Sequence, residues 1–222
     1  GVHPSMAGNE EFLHYLRGHK TVYSEAEKRE RNLTLIDFED PARNRFTFTQ
    51  EFTFEDRDRR RVDMMLFVNG FPVALIENKS PTVPEAELEA FDQVQRTYTD
   101  RIPELLKFVQ VFAACNARLH YGATWNDSLK AFYRWKADGK GGFETHPYSL
   151  EALSKTLFDR EHLLRLLRDY VIFFRADDQT QKFVLRPHQM RAADRIVQRV
   201  VANLLPSPKV GRGEQIGDDA LY

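Results

Sequence analysis

The residues from Arg61 to Ser80, RVDMMLFVNGFPVALIENKS, limit what this chain can become more than any other stretch. Asn69 and Gly70 split two apolar runs, and an Asn-Gly pair in that position is the strongest short-range signal of a β-hairpin. Asp63, Glu77 and Lys79 interrupt the apolar residues. Taking an unpaired carboxylate out of water is costly, so charges inside strands need a partner or a cation. Glu77 and Lys79 are two apart and share a face of the second strand. A strict two-residue loop pairs Val68 with Phe71 and sends Asp63 to the opposite face. A three-residue loop with Gly70 left-handed, or an equivalent bulge inside a strand, brings Asp63 and Glu77 to one face. The bulged arrangement is the one predicted.

Two acids and a lysine on one sheet face suit Mg²⁺-dependent phosphodiester hydrolysis. The hard cation takes carboxylate oxygens, a backbone carbonyl and waters, while the ammonium steadies the attacking water or the phosphate. On this basis Asp63, Glu77 and Asn78, which lies between Glu77 and Lys79, form the candidate metal set. Asp, thirteen residues, then Glu-x-Lys resembles the PD-(D/E)xK nuclease superfamily, with Val62 where many members have proline. The bare pattern also arises by chance, and a salt-bridged strand end is the plain alternative.

At 222 residues the chain can bury one sizeable core with a small extra unit. A net charge of −1 supplies no global attraction to nucleic acid or anionic membrane, so DNA contact depends on local basic patches. The lone cysteine, Cys115, excludes an internal disulfide, reads as a small core residue and suits a reducing cytoplasm. No apolar stretch approaches the roughly 18 residues of a membrane span, and no signal peptide is visible. A soluble, cytoplasmic chain is expected. Residues 1–9 lack an initiating methionine, the sign of a fragment or a processed form.

In chain order, Asn9 reads as the N-cap of a helix whose apolar side is Phe12, Leu13, Tyr15 and Leu16. Residues 24–32, SEAEKRERN, read as a solvated helix or turn in which Lys28, Arg29 and Arg31 could touch phosphates. Residues 33–38 are expected to begin a strand, followed by Asp-Pro turn chemistry. From 45 to 54, aromatic and polar residues alternate, which predicts a half-buried strand with Phe46, Phe48, Phe52 and Phe54 near the core and a phase shift if a bulge lies at Gln50-Glu51. The arginine-rich tip 55–61 is a solvated turn by default, with DNA backbone as the other reading. Thr82 with Glu85 forms a capping-box pattern, and Pro84 suits the first turn of a helix running to Arg101.

That helix carries Gln93, Gln95 and Tyr98, which either reach the hairpin or cap core polar groups; the second is the plainer reading. Residues 108–116 read as a central strand, followed by strands near 118–124 and 132–135, with His120 a structural histidine. GKGG at 139–142 is a flexible loop without the spacing of a phosphate cradle, and no zinc-type spacing occurs. Residues 148–170 read as two amphipathic helices, 182–185 as a short strand and 186–197 as a helix opening with proline; 206–222 read as a poorly ordered tail.

NLTLIDFEDP at 32–41, VDMMLFVNGFPVALIENKSP at 62–81, EAFDQVQRTYTDRIPELLKFVQVFAACN at 89–116, RLHYGATW at 118–125 and LRPHQMRAADRIV at 185–197 together resemble the restriction subunit of type I restriction-modification enzymes. The resemblance covers residues 9 to 203 and rests on order and combination. It implies an α/β fold: a restriction-endonuclease-like mixed sheet flanked by helices over 1–147, a helical linker over 148–180, and the start of a superfamily 2 helicase domain over 181–222. It implies Mg²⁺ held by Asp63 and Glu77, Lys79 as catalytic lysine, and duplex DNA as substrate. Modification and specificity subunits are the implied partners.

The family helix carries Gln-x-x-x-Tyr. Here Gln93 matches by context, Tyr98 lies five residues on instead of four, and Gln95 is a rival. Glu10 or Glu11 are loose candidates for a further acidic residue. Gln189 would read the adenine of ATP, yet the Walker A strand and loop are missing, so this piece is not expected to hydrolyse ATP by itself. The alternative reading is a catalytically silent, nuclease-shaped scaffold for DNA binding or assembly.

Overall fold

A computed structural model describes residues 4–116, 118–135, 150–176 and 179–204. The loop expected at 139–142 and the tail at 206–222 lie outside these. The first compact unit, Gly1–Pro187, is built on a six-stranded sheet in sequential order: β3 (Phe46–Glu55), β4 (Arg59–Val68), β5 (Phe71–Asn78), β6 (Val111–Cys115), β7 (Leu119–Ala123) and β8 (Phe132–Arg134). All neighbours are antiparallel except β5 and β6, which are parallel. A parallel pair needs a long crossover. It is supplied by α2 (Ala86–Asp92), its continuation to Arg101, and α4 (Pro103–Leu106), with α3 (Thr99–Arg101) as the last turn of that continuation.

The sheet is buried where both faces are covered. On one face Phe91, Val94, Tyr98, Ile102 and Leu105 pack with Val62, Met65, Leu75 and Phe112 in a single apolar cluster. Toward the other lie α1 (Pro4–Leu16) and the segments after β8: Phe12 meets Phe71 and Phe108 at 5.6 and 4.9 Å, and Tyr121 donates to Leu185 O at 2.8 Å. Every residue of β6 is accordingly buried. α5 (Leu150–Leu157), α6 (Arg160–Arg165) with a wider turn to Tyr170, and the hairpin of β9 (Val171–Ala176) and β10 (Gln179–Val184) also belong to this unit. Arg17 ties α1 to them, donating to Leu167 O and Val171 O at 2.8 and 2.7 Å. The second unit begins at His188 and contains α7 (Pro187–Leu204) from its second residue onward.

A fully buried lysine lies at the junction of α1, β6, β7 and β10. Lys182 Nζ donates to Asn9 Oδ1, Gln110 O and Thr124 Oγ1 at 2.7, 2.7 and 2.9 Å, which uses all three N–H groups of an ammonium. Burial pushes its pKa well below the usual lysine value.

The aromatic phase shift at Gln50-Glu51 is present. Phe52 and Phe54 pack against the core cluster, Phe52 meeting Phe67 at 5.6 Å, whereas Phe48 is 64% exposed. Glu51 has φ 52°, and the pair it would make with Asp63 is absent from an otherwise unshifted ladder. Phe48 is therefore not near the core, because the kink turns its side of the strand outward.

Other expectations are corrected. Asn9 is no N-cap: the helix starts at Pro4, and the Asn9 amide donates to Leu106 O, Lys107 O and Val109 O. The solvated turn expected in 24–32 is present at 25–28, but 29–32 form β2 (Arg29–Asn32), paired with β1 (Thr21–Ser24) in an exposed two-stranded ribbon. Residues 33–38 form no strand, since Asn44 and Asn69 side chains occupy their backbone groups. The capping box does not form: α2 starts at Ala86, after a left-handed Glu85 that makes no side-chain cap.

Candidate active site at the end of β5

The hairpin turn and the site are linked by one extra residue. Asn69 and Gly70 have φ 51° and 86°, as a type I′ turn requires, and Val68 pairs with Phe71. The loop is thus the strict two-residue one. Farther along, Phe67 pairs with Pro72 but Leu66 with Ala74, so Val73 is a bulge inside β5. Beyond it Met64 pairs with Ile76, and the next step of the same register sets Asp63 across from Glu77. The predicted common face is reached by a bulge in the strand and not by a longer loop.

Asp63 Oδ2 accepts from Asn78 N–H at 2.7 Å, holding the first carboxylate against the end of β5. Glu77 is 1% exposed. Burial first, and then the Asp63 charge, push its pKa up to about 7, against a lowering by the Tyr98 hydroxyl, which donates to Glu77 Oε1 at 2.9 Å. The pair is acceptor-rich and short of positive charge. Among the described residues no cluster of three or more His, Cys, Asp or Glu side chains could hold a metal. Mg²⁺ commonly uses one or two carboxylates and keeps several waters, so two acids with the Asn78 main chain beside them fit that ion.

Lys79 N–H donates to Cys115 O at 2.7 Å, which fixes the residue at the carboxyl end of β5 beside β6. Its ammonium turns to α2, donating to Gln93 Oε1 at 2.6 Å and Glu89 Oε1 at 3.1 Å. Gln93 Nε2 in turn donates to Tyr98 Oη at 2.5 Å. A lysine ammonium can only donate, so Gln93 must face it with oxygen and Tyr98 with nitrogen. The Tyr98 proton is then directed to Glu77 Oε1 or to Arg61 O, 3.0 Å away. One relay thus joins Lys79 to Glu77 through two side chains of the helix.

The spacing of Gln93 and Tyr98 explains itself in this helix. In a regular α-helix residues five apart lie about 140° apart around the axis. Gln93–Tyr98 is instead a π-helical turn, whose i→i+5 pattern brings residues five apart onto one side. Thr99 Oγ1 donates to Gln95 O at 2.7 Å, taking up a carbonyl of the widened turn. Gln95, the rival, points away: it donates to Ala123 O and accepts from Asn126 N–H.

Glu10 and Glu11 are not at this site, being paired with Arg175 and Lys20. His120 is half-buried and stacked on Phe132, and burial lowers its pKa. Cys115 is a buried core residue whose thiol is pushed up to about 12 by burial, far from nucleophilic use. Gln189 is exposed on α7. Glu89 was not singled out by sequence; its only signal is the i, i+4 spacing to Gln93 on one helix face.

The pattern of the type I restriction enzyme R protein N terminus matches residues 2–128, more than half of the chain. The chain belongs to this family. The HindI type I restriction enzyme endonuclease subunit of Haemophilus influenzae is 28% identical over 87% of this chain, which spans 19% of that protein. The EcoprrI endonuclease subunit of Escherichia coli is 26% identical over 83% of this chain and 58% of its own length. A relative from Methanocaldococcus jannaschii is 28% identical over 90% of this chain, which covers 21% of it. The chain thus spans about a fifth of two of these relatives. No helix among the described residues is long and apolar enough to cross a membrane.

Proposed function

We propose that this region is the Mg²⁺-dependent nuclease domain of the family, hydrolysing phosphodiester bonds of duplex DNA. The observation that carries the reading is the bulge at Val73, which sets Asp63 across from Glu77 while Lys79 comes two residues later. Two facing carboxylates, one of them pushed up by burial, call for a hard cation. When bound, Mg²⁺ supplies Lewis acidity toward a phosphate oxygen and a more acidic water. Asp63 and Glu77 would hold it, with Asn78 beside them. Lys79 keeps one N–H beyond those given to Glu89 and Gln93, and offers it to the phosphate or the attacking water. Gln93 and Tyr98 keep Glu77 and Lys79 in register.

In the full-length protein a motor C-terminal to this region would move DNA at the expense of ATP, with Gln189 at the adenine, and modification and specificity subunits would complete the assembly. The names of the relatives as endonuclease subunits support the nuclease role. The test is Mg²⁺-dependent cleavage of duplex DNA by the motor-containing assembly, wild type against Asp63→Ala and Lys79→Ala. Cutting should fall below detection in both while ATP turnover persists. Undiminished cutting in both would remove the chemistry from this hairpin and leave a scaffold.

A further inference from the structure

We infer that Glu89 is a positioning residue that aims the Lys79 ammonium; the inference rests on the nuclease reading of the site. Lys79 is rooted at the end of β5 by its own N–H, and its side chain is only 16% exposed. From there four rotatable bonds lead to Nζ. Gln93 alone would hold that atom at one point, about which the chain could still swing. Glu89 on α2 and Gln93 on its continuation are four apart on one helix face and accept from the same ammonium at 3.1 and 2.6 Å. Two acceptors take two of the three N–H groups, and together they direct the third.

Glu89 also acts at a distance along the relay. By holding Nζ in place it keeps the Gln93 oxygen turned to Lys79, and hence the Gln93 nitrogen turned to Tyr98. As a source of stability this contact is negligible, because the Glu89 side chain is 65% exposed and exposed ion pairs contribute little. Its effect is confined to aim. A structural role and a positioning role therefore separate cleanly: the first moves the melting temperature, the second moves the rate.

The experiment uses the complete motor-containing assembly with Mg²⁺, ATP and a duplex DNA substrate. Glu89→Ala should slow single-turnover cleavage at saturating DNA about tenfold, since misplacing a catalytic group by about 1 Å can cost up to a hundredfold. Half-saturating DNA, ATP turnover and melting temperature should stay as in wild type. Glu89→Gln, which keeps an acceptor oxygen at the same reach, should recover the rate to within about threefold of wild type. A wild-type rate in Glu89→Ala, a change only in half-saturating DNA, or a Gln variant as slow as Ala would each overturn the inference. Lys79→Ala run alongside tells the two failures apart. If it still cuts, the nuclease reading falls; if it is dead while Glu89→Ala is unaffected, only the role of Glu89 falls.

Discussion

Two buried ionisable side chains, Lys182 and Glu77, have been given opposite treatment. Lys182 is sealed, and each of its three donors meets a neutral oxygen from a different part of the fold. The oxygens are themselves anchored: Thr124 Oγ1 donates onward to Val109 O at 2.6 Å, and the Asn9 amide is spent on three carbonyls. Nothing remains for a ligand to do. Glu77 is as well buried but faces a second carboxylate, with a tyrosine hydroxyl as its compensation. A buried group whose donors are all matched fastens a fold, whereas a buried carboxylate set beside a second carboxylate is energy held for a cation.

The largest expected effect separates those roles directly. Glu77→Gln should reduce cutting by more than ~100-fold, since even groups behind metal ligands are worth 10–100-fold. The same variant should be the more stable protein without metal. The pKa of Glu77 is raised from 4.5 to about 7 in the folded state, so the folded form takes up its proton more readily than the unfolded one. Stability from that proton is present below pH 4.5 and lost as pH rises through about 7, leaving a deficit of roughly 3 kcal/mol above it. Urea unfolding in a chelator should show that decline in wild type and not in Glu77→Gln. A decline persisting in the variant would assign it to other groups.

Lys182→Met should do the reverse. Removing the donor leaves several buried acceptors unpaired and should cost about 3 kcal/mol. Cutting per folded molecule should be unchanged. A Lys182→Met protein as stable as wild type would mean that the knot contributes nothing, and a slower one would join it to the site.

The smallest effect concerns the widened turn. Arg96 is mostly exposed within the Gln93–Tyr98 turn, where it pairs with Asp92 at 3.5 Å. Deleting it should convert that turn to regular α-helix and bring Gln93 and Tyr98 to a spacing of four, still on one face. Cutting should stay within about threefold of wild type and stability within about 1 kcal/mol. Loss of cutting as complete as in Gln93→Ala would show that the π-turn itself, and not merely adjacency, is needed.

The hairpin and the shared face of Asp63 and Glu77 were legible because strand side chains alternate strictly and buried acids cannot be scattered. Where the extra residue lies was not legible, since a bulge at Val73 and a longer loop have the same effect on parity. The segment 33–38 misled because its apolar residues suggest a strand, while Ile36 is buried in a coil held by the side-chain amides of Asn44 and Asn69. Asn9 misled for a related reason: an amide that can cap its own helix can equally close a loop about a hundred residues away. The hidden part of the site is the helix. Gln93 and Tyr98 read as neighbours only if the backbone between them is known to widen, and Glu89 only once Lys79 is seen to turn toward it.

The widened turn also bears on how relatives of this chain are to be found. A helix that stores a residue in this way keeps its side chains in place while lengthening the text between them. A search demanding Gln, three residues and Tyr passes over this sequence, although both groups meet in space at 2.5 Å. Allowing a gap of three or four recovers it, and the extra letter then marks the spot where such a helix can gain or lose a residue without displacing the turns beyond it.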